Sequence, residues 1–246
     1  MNTISIDKDL FLIGPGVLYR DTLIMSDIHI GYEEALNKQG VLMPRISYEL
    51  IKNTAREMIR LAERKARINR IVINGDLKHE FGTISKQEWW QCLDFLEYLT
   101  SISNVVLVKG NHDTIIGPIA DKKNVRVVEE LRINDVLIIH GHRKPENMER
   151  VGIIIIGHEH PAISVKHGER REAYKAFLDL DYKNKRLIVM PSMFPLIIGN
   201  DLLKEKPLSP LLLETNLDSA RVFLLDNEYN VYSMGDIKTI RTSSLD

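Results

Sequence analysis

Seven of the eight histidines in this 246-residue chain lie just beyond the end of a short apolar run, each inside a small polar cluster. The clusters are Ser26-Asp27-Ile28-His29, Asn74-Gly75-Asp76-Leu77-Lys78-His79, Gly110-Asn111-His112-Asp113, His140-Gly141-His142 and Gly157-His158-Glu159-His160. Imidazole nitrogen mixed with carboxylate and amide oxygen, with no thiolate, suits borderline divalent cations. That donor set favours Mn, Fe, Zn, Co or Ni over Mg or Ca. Asp27 and His29 could serve one ion where a strand ends and the backbone turns, and His158 and His160 repeat the spacing. Gly75, Gly110, Gly141 and Gly157 each stand beside one of these groups, where a missing side chain permits close approach. No Ser or Cys nucleophile sits in a triad-like setting, and there is no Walker loop or Gly-x-Gly-x-x-Gly run.

The elements that must position these groups alternate along the chain. Leu23-Ile24-Met25 reads as a strand running into Ser26-Asp27, and about Ile46 to Ala66 as a helix with Ile46, Leu50, Ala55, Ile59 and Ala62 on one face. Ile71-Val72-Ile73 is the next strand, and Ser85 with Glu88 matches a capping box opening a helix through Trp89, Leu93 and Leu96. Val105–Val108, Val136–Ile139 and Ile153–Ile156 are short buried-looking strands. The last third turns to strands at Ile163–Val165, Ala176–Leu180, Leu187–Met190, Val222–Leu225 and Val231–Tyr232, around a loop with a short helix at 196–219. Such a pattern suggests two sheets covered by helices. Ligands in α/β sheets gather beyond the carboxyl ends of the strands, so five strands can deliver the clusters to one rim.

Composition sets outer limits. A hydrophobic fraction of 44% and a charged fraction of 27% are those of a globular protein, and a net charge of −1 argues against a strongly basic nucleic-acid binder. The single cysteine, Cys92, excludes an internal disulfide, a zinc ribbon and an iron–sulfur cluster and reads as core. No membrane span or signal pattern is apparent, which points to the cytoplasm. Arg64, Lys65, Arg67 and Arg70 suit a helix C-terminus. Trp89 and Trp90 read as packing residues with one partly exposed, and His167 as surface.

The five clusters, in this order, resemble the blocks of the calcineurin-like metallophosphoesterase superfamily: Asp-x-His, Gly-Asp, Gly-Asn-His-Asp/Glu, His and Gly-His-x-His. The resemblance covers about residues 23–161. It implies an α/β fold, a four-layer α/β/β/α sandwich of two mixed sheets, with 1–246 as a single domain whose residues 162–246 supply second-sheet strands. It also implies two divalent metal ions, Mn favoured, that activate a shared water to attack phosphorus in line. Asp27, His29 and His160 would hold the first ion, and Asn111, His140 and His158 the second, with Asp76 bridging. His112 would be the general acid. Gly75-Asp76-Leu77-Lys78-His79, Gly157-His158-Glu159-His160-Pro161 and Pro191-Ser192-Met193-Phe194-Pro195 are similar to the compact ICC-like group, which includes bacterial DNA-ligase-associated phosphoesterases.

Three residues past the bridging position, phosphoprotein phosphatases of the superfamily carry an aspartate. Here His79 stands there, as in the Gly-Asp-x-x-His block of the superfamily's DNA-repair nucleases, and it can donate to a phosphate oxygen. The implied activity is phosphodiester hydrolysis, with DNA or RNA as the favoured substrate. A small-molecule or cyclic-nucleotide phosphodiesterase is the alternative, a protein phosphatase the third, and a non-catalytic scaffold the least compatible with a filled site. His142 either orients His140 or is an ordinary loop residue. Arg143 either attracts phosphate or is part of a solvated face.

Overall fold

A computed structural model describes residues 1–167 and 170–243. The first sheet begins as an antiparallel meander, β1 (Thr3–Asp7), β2 (Leu10–Ile13), β3 (Gly16–Tyr19) and β4 (Thr22–Met25). It continues in parallel through β5 (Arg70–Asn74), β6 (Asn104–Val108) and β7 (Arg126–Val128). The crossovers are helical: α1 (Tyr32–Lys38) and α2 (Ser47–Glu63) before β5, α3 (Lys86–Thr100) before β6, and α4 (Gly117–Lys122) before β7. Ser85 caps α3 as the sequence suggested: its hydroxyl accepts from Glu88 N at 3.0 Å, and the Glu88 carboxylate accepts from Ser85 N at 3.4 Å.

The second sheet comprises β8 (Glu130–Ile133), β9 (Val136–Ile139), β10 (Ile153–Ile156), β11 (Pro161–His167), β12 (Arg170–Tyr182), β13 (Lys185–Val189) and β14 (Asn200–Asp201). Its order is β14-β11-β12-β13-β10-β9-β8, and β15 (Arg221–Leu225) joins β12 and carries β16 (Val231–Asp236). Strand β10 is parallel to β9 and β13, whereas β12 is antiparallel to β13, so this sheet is mixed too.

Alternation along the strands builds the layers. Leu23 and Met25 pack outward under α2 and α3, while Ile24 points inward to an apolar layer shared with Val72, Val106, Ile138, Ile155 and Ile188. The four isoleucines of β10 divide the same way: Ile155 faces the shared layer, and Ile154 and Ile156 face out. The outer cover of the second sheet is thinner than the first. It consists of 3₁₀ turns at Leu212–Glu214 and Leu217–Ser219, α5 (Ile237–Ser243) and the chain around Leu202 and Leu211.

The face of α2 differs from the sequence expectation at its start: Ile46 and Leu50 are 53% and 40% exposed, whereas Ala55, Ile59 and Ala62 are buried as expected and are joined by Ile51 and Met58. Ile46 precedes the helix, and Leu50 falls on its flank. Cys92 is buried, Trp90 is exposed and Trp89 rests against the core. The side chain of His167 lies outside the described residues. Among the described residues no helix is long and apolar enough to cross a membrane.

Candidate dimetal site

Strands β4, β5, β6, β9 and β10 end at one rim, and the turns that follow them are stitched together by backbone bonds. Asp27 N donates to Gly75 O, Ile28 N and His29 N to Asp76 O, and Gly157 N to His140 O. Asp27, His29, Asp76, His158 and His160 all have φ between 45° and 62°. Left-handed backbone is costly for residues with a Cβ and persists only where surroundings enforce it. Here it turns consecutive side chains of one strand end into one concavity. The glycines make room for it. A Cβ on Gly157 would lie 1.9 Å from Ser26 Oγ and 2.3 Å from Asp27 Oδ2, and one on Gly110 would lie 2.0 Å from Asp76 Oδ1.

Three groups converge. In the first, Asp27, His29 and His160 offer ligand atoms within 4.8 Å of one another, with His160 Nε2 at 3.0 Å from Asp27 Oδ1 and at 3.4 Å from His29 Nε2. In the second, Asp27, Asp76 and His140 do the same. His140 Nε2 is 3.3 Å from Asp76 Oδ2 and 3.0 Å from Asn111 Oδ1. The ring of His158 is 5.1 Å from that of His140. Asp27 is common to these two groups, and Asp76 Oδ2 of the second lies 3.3 Å from His140 Nε2 and 3.9 Å from His29 Nε2 of the first. Neighbouring ligands on an ion with bonds of about 2.1 Å are about 3 Å apart, so these spacings fit a cation in each group. The facing Nε2 atoms of His29 and His160, 3.4 Å apart, can share one proton or one cation but not two protons.

His29, His79 and His112 form the third group. His79 Nδ1 is 3.4 Å from His29 Nδ1, and the His79 and His112 rings lie 5.5 Å apart and nearly parallel. The backbone N–H of His112 donates to Asp76 Oδ1 at 2.9 Å.

Burial keeps several of these imidazoles neutral, but not His140. Burial pushes His29 down to about 3 and His158 and His79 each to about 4, so all three stay uncharged near neutrality. Burial works against charge on His140 as well, but the hydrogen bond to Asp76 and the charge of Asp27 outweigh it and raise His140 to about 9. Burial likewise opposes ionisation of Asp27 and Asp76, yet neighbouring imidazoles hold both below the usual carboxylate range, Asp76 at about 2. His140 Nδ1 donates to Asn74 O at 3.2 Å, which directs Nε2 toward the site.

Buried charges outside the expected set hold this rim in place. Asp113 accepts from Leu77 N at 3.1 Å and Gly110 N at 3.0 Å, fixing the turn at Asp76. Glu88 accepts from His79 N at 2.8 Å and Glu80 N at 3.1 Å. Glu159 accepts from Asn200 Nδ2, Leu208 N and Ser209 N. Lys175 Nζ donates to the carbonyls of Ser192, Phe194 and Ile197 at 2.9, 2.8 and 2.6 Å. That loop in turn grips the first cluster, since Ser192 Oγ donates to Asp27 O and Met193 N to Ser26 O. Burial pulls Lys175 down to about 7, but only an ammonium has three hydrogens for three carbonyls, and the short distances are those of charge-assisted bonds. Asp113 and Glu159 stand inside the sequence clusters, whereas nothing local marks Lys175 or Glu88 for this role.

The remaining candidates diverge. His142 is half-buried, its Nδ1 has no hydrogen-bond partner among the described residues, and its ring is 5.3 Å from His140 and 6.0 Å from His158. Arg143 turns to the surface and pairs with Glu129. Both line a cleft of about 400 Å³ beside His140.

A family model described as calcineurin-like phosphoesterase matches residues 21–218. No curated protein sequence matches the chain. Among solved structures, the nuclease MPE of Pseudomonas putida superposes with a TM-score of 0.67 at 17% identity, covering 95% of this chain and 99% of that one. Vps29 of Entamoeba histolytica gives a TM-score of 0.35 at 15% identity, covering 87% and 98%. A conserved uncharacterized protein of Streptococcus pneumoniae gives 0.36 at 13% identity, covering 86% and 91%. At such identities the nuclease likeness is one of fold.

Proposed function

The chain belongs to the calcineurin-like phosphoesterase family and is a metal-dependent phosphoesterase, and from that premise we propose that it hydrolyses phosphodiesters, with nucleic acid as substrate. Asp27, His29 and His160 hold one divalent ion, Asn111, His140 and His158 the other, and Asp76 bridges, with Mn²⁺ the preferred metal for this donor set. The ions, when bound, activate water and offset charge on the phosphate. Residues 1–246 act as one domain, consistent with the apolar layer shared by the two sheets.

The observation that carries the diester reading is the setting of His79. With Nε2 of His29 given to a cation, the His29 proton sits on Nδ1 and faces His79 Nδ1 at 3.4 Å. His79 must then accept there and keep its own proton on Nε2, as a neutral donor for a phosphate oxygen. A carboxylate in its place would instead repel the phosphate. His112 directs Nδ1 to the carbonyl of His79, so in its protonated form Nε2–H is free to go to the leaving oxygen. Half-buried His112, His158 and His160 keep one edge of the site open above the buried carboxylates.

The test is a substrate panel run with the Mn²⁺ enzyme at low salt: single- and double-stranded DNA, RNA, cyclic nucleotides, and a matched diester and monoester. Faster cleavage of the diester, and cutting of a nucleic acid, is the expected result. Turnover of a monoester or cyclic nucleotide with every nucleic acid left intact would overturn it. The salt dependence should be steep, because a chain of net charge −1 can hold a polyanion only through local contacts.

A further inference from the structure

The strap that follows His79 ends in an aromatic ring that no core uses. Phe81 is 57% exposed and belongs to none of the three apolar clusters among the described residues. Its ring lies against the face of His112, with centroids 3.7 Å apart and planes inclined at 38°. The base of the strap is anchored, because buried Glu88 accepts from both His79 N and Glu80 N. Thr83 N donates to Phe81 O at 2.7 Å, which folds the tip tightly around the exposed ring.

Phe81 also ends a continuous row of rings. Phe194 and Tyr32 are 4.9 Å apart, Tyr32 and His79 4.7 Å, His79 and His112 5.5 Å, and His112 and Phe81 3.7 Å. The row begins in the core and runs along one side of the metal-binding groups to open solvent at Phe81.

We propose that Phe81 is a specificity-determining residue that stacks on a planar aromatic group of the leaving portion of the substrate, a nucleobase. The proposal rests on the function given above, in which His112 protonates the leaving oxygen. The atoms bonded to that oxygen must lie at His112 Nε2, and the next flat group of the leaving portion comes within reach of the ring packed on His112. Stacking on an aromatic face tolerates any base, since every base has a π-face, and so selects for the presence of a base rather than its identity.

The experiment compares kcat/KM for a dinucleotide with that for the same diester whose leaving nucleotide lacks its base, using wild type, Phe81→Ala and Phe81→Tyr. Wild type should prefer the base-bearing substrate, by about five- to a hundred-fold if the stack has ordinary strength. Phe81→Ala should lose that preference mainly through KM and leave the abasic substrate little changed, and Phe81→Tyr should restore it. Equal losses on both substrates would assign the ring to shielding His112 and overturn the proposal, as would a preference that survives in Phe81→Ala. Benzyl and cyclohexylmethyl phosphate monoesters are run beside them. Should wild type turn over only monoesters, the diester reading fails by itself, and the benzyl preference of wild type over Phe81→Ala still decides the role of the ring.

Discussion

The ring of His112 is oriented by the backbone of His79: Nδ1–H of His112 donates to the His79 carbonyl, which leaves Nε2 facing the site, 3.9 Å from Asp76 Oδ2. A carbonyl can only accept, so the tautomer is settled by the fold rather than by substrate. Because Glu88 holds the His79 peptide, the orientation of His112 traces back to the first turn of α3.

Replacing His112 separates acid from ligand. His112→Asn should keep its metal content near wild type while turnover falls by about 10²–10⁴. The loss should shrink for a nitrophenolate leaving group, which needs no proton. Elemental analysis together with rates on the two leaving groups checks this, and loss of an ion from the variant would reassign His112 as a ligand.

His79 sits close enough to His29 to compete for the same role. His79→Ala should slow diester cleavage without releasing metal, because the proposed partner of His79 is a phosphate oxygen. If equilibrium dialysis shows one ion fewer in the variant, the trio of His29, His79 and His112 is itself a binding site.

Lys175 touches none of the expected ligands, yet it holds the loop that grips the peptides of Ser26 and Asp27. Lys175→Met leaves three carbonyls, two of them buried, without this donor and should destabilise the fold by on the order of 3 kcal/mol. Denaturant unfolding measures this. A midpoint indistinguishable from wild type would mean that the loop holds Asp27 without the ammonium.

The metal-free site should release protons as it fills. Burial opposes the charged form of His140, but Asp76 and Asp27 raise it to about 9, so below that pH a proton occupies the position a cation would take. Metal affinity should therefore rise with pH toward about 9, and binding at neutral pH should release about one proton per chain through His140. Calorimetry in buffers of different ionisation enthalpy reads that number directly. Binding with no proton release would contradict the assignment of His140.

The strand-end clusters were legible because each follows its own apolar run, and the α3 cap because Ser85 and Glu88 are three residues apart. Long-range choices were not. Periodicity in α2 permits two adjacent faces, and only contact with the sheet selects Ile51 and Met58 over Ile46 and Leu50. Helix α1 is too short to carry a periodic signal, and the meander strands β1–β3, although as long as β9 and β10, lead into no polar cluster that marks them. Lys175 reaches carbonyls 17 to 22 residues away, and Glu88 reaches His79 across a loop, so their roles exist only in the folded chain. Arg143, adjacent in sequence to the third cluster, turns away to Glu129.

Two divalent ions per chain, joined through Asp76, are the core of the proposed function. Mn²⁺ titrated into chelator-stripped protein, with bound metal and diester hydrolysis followed together, measures it most directly. The account predicts two ions per chain, activity that appears only as both load, and loss of both properties in Asp76→Ala. Full activity in excess chelator, or an Asp76→Ala enzyme with normal rate and metal content, would contradict it.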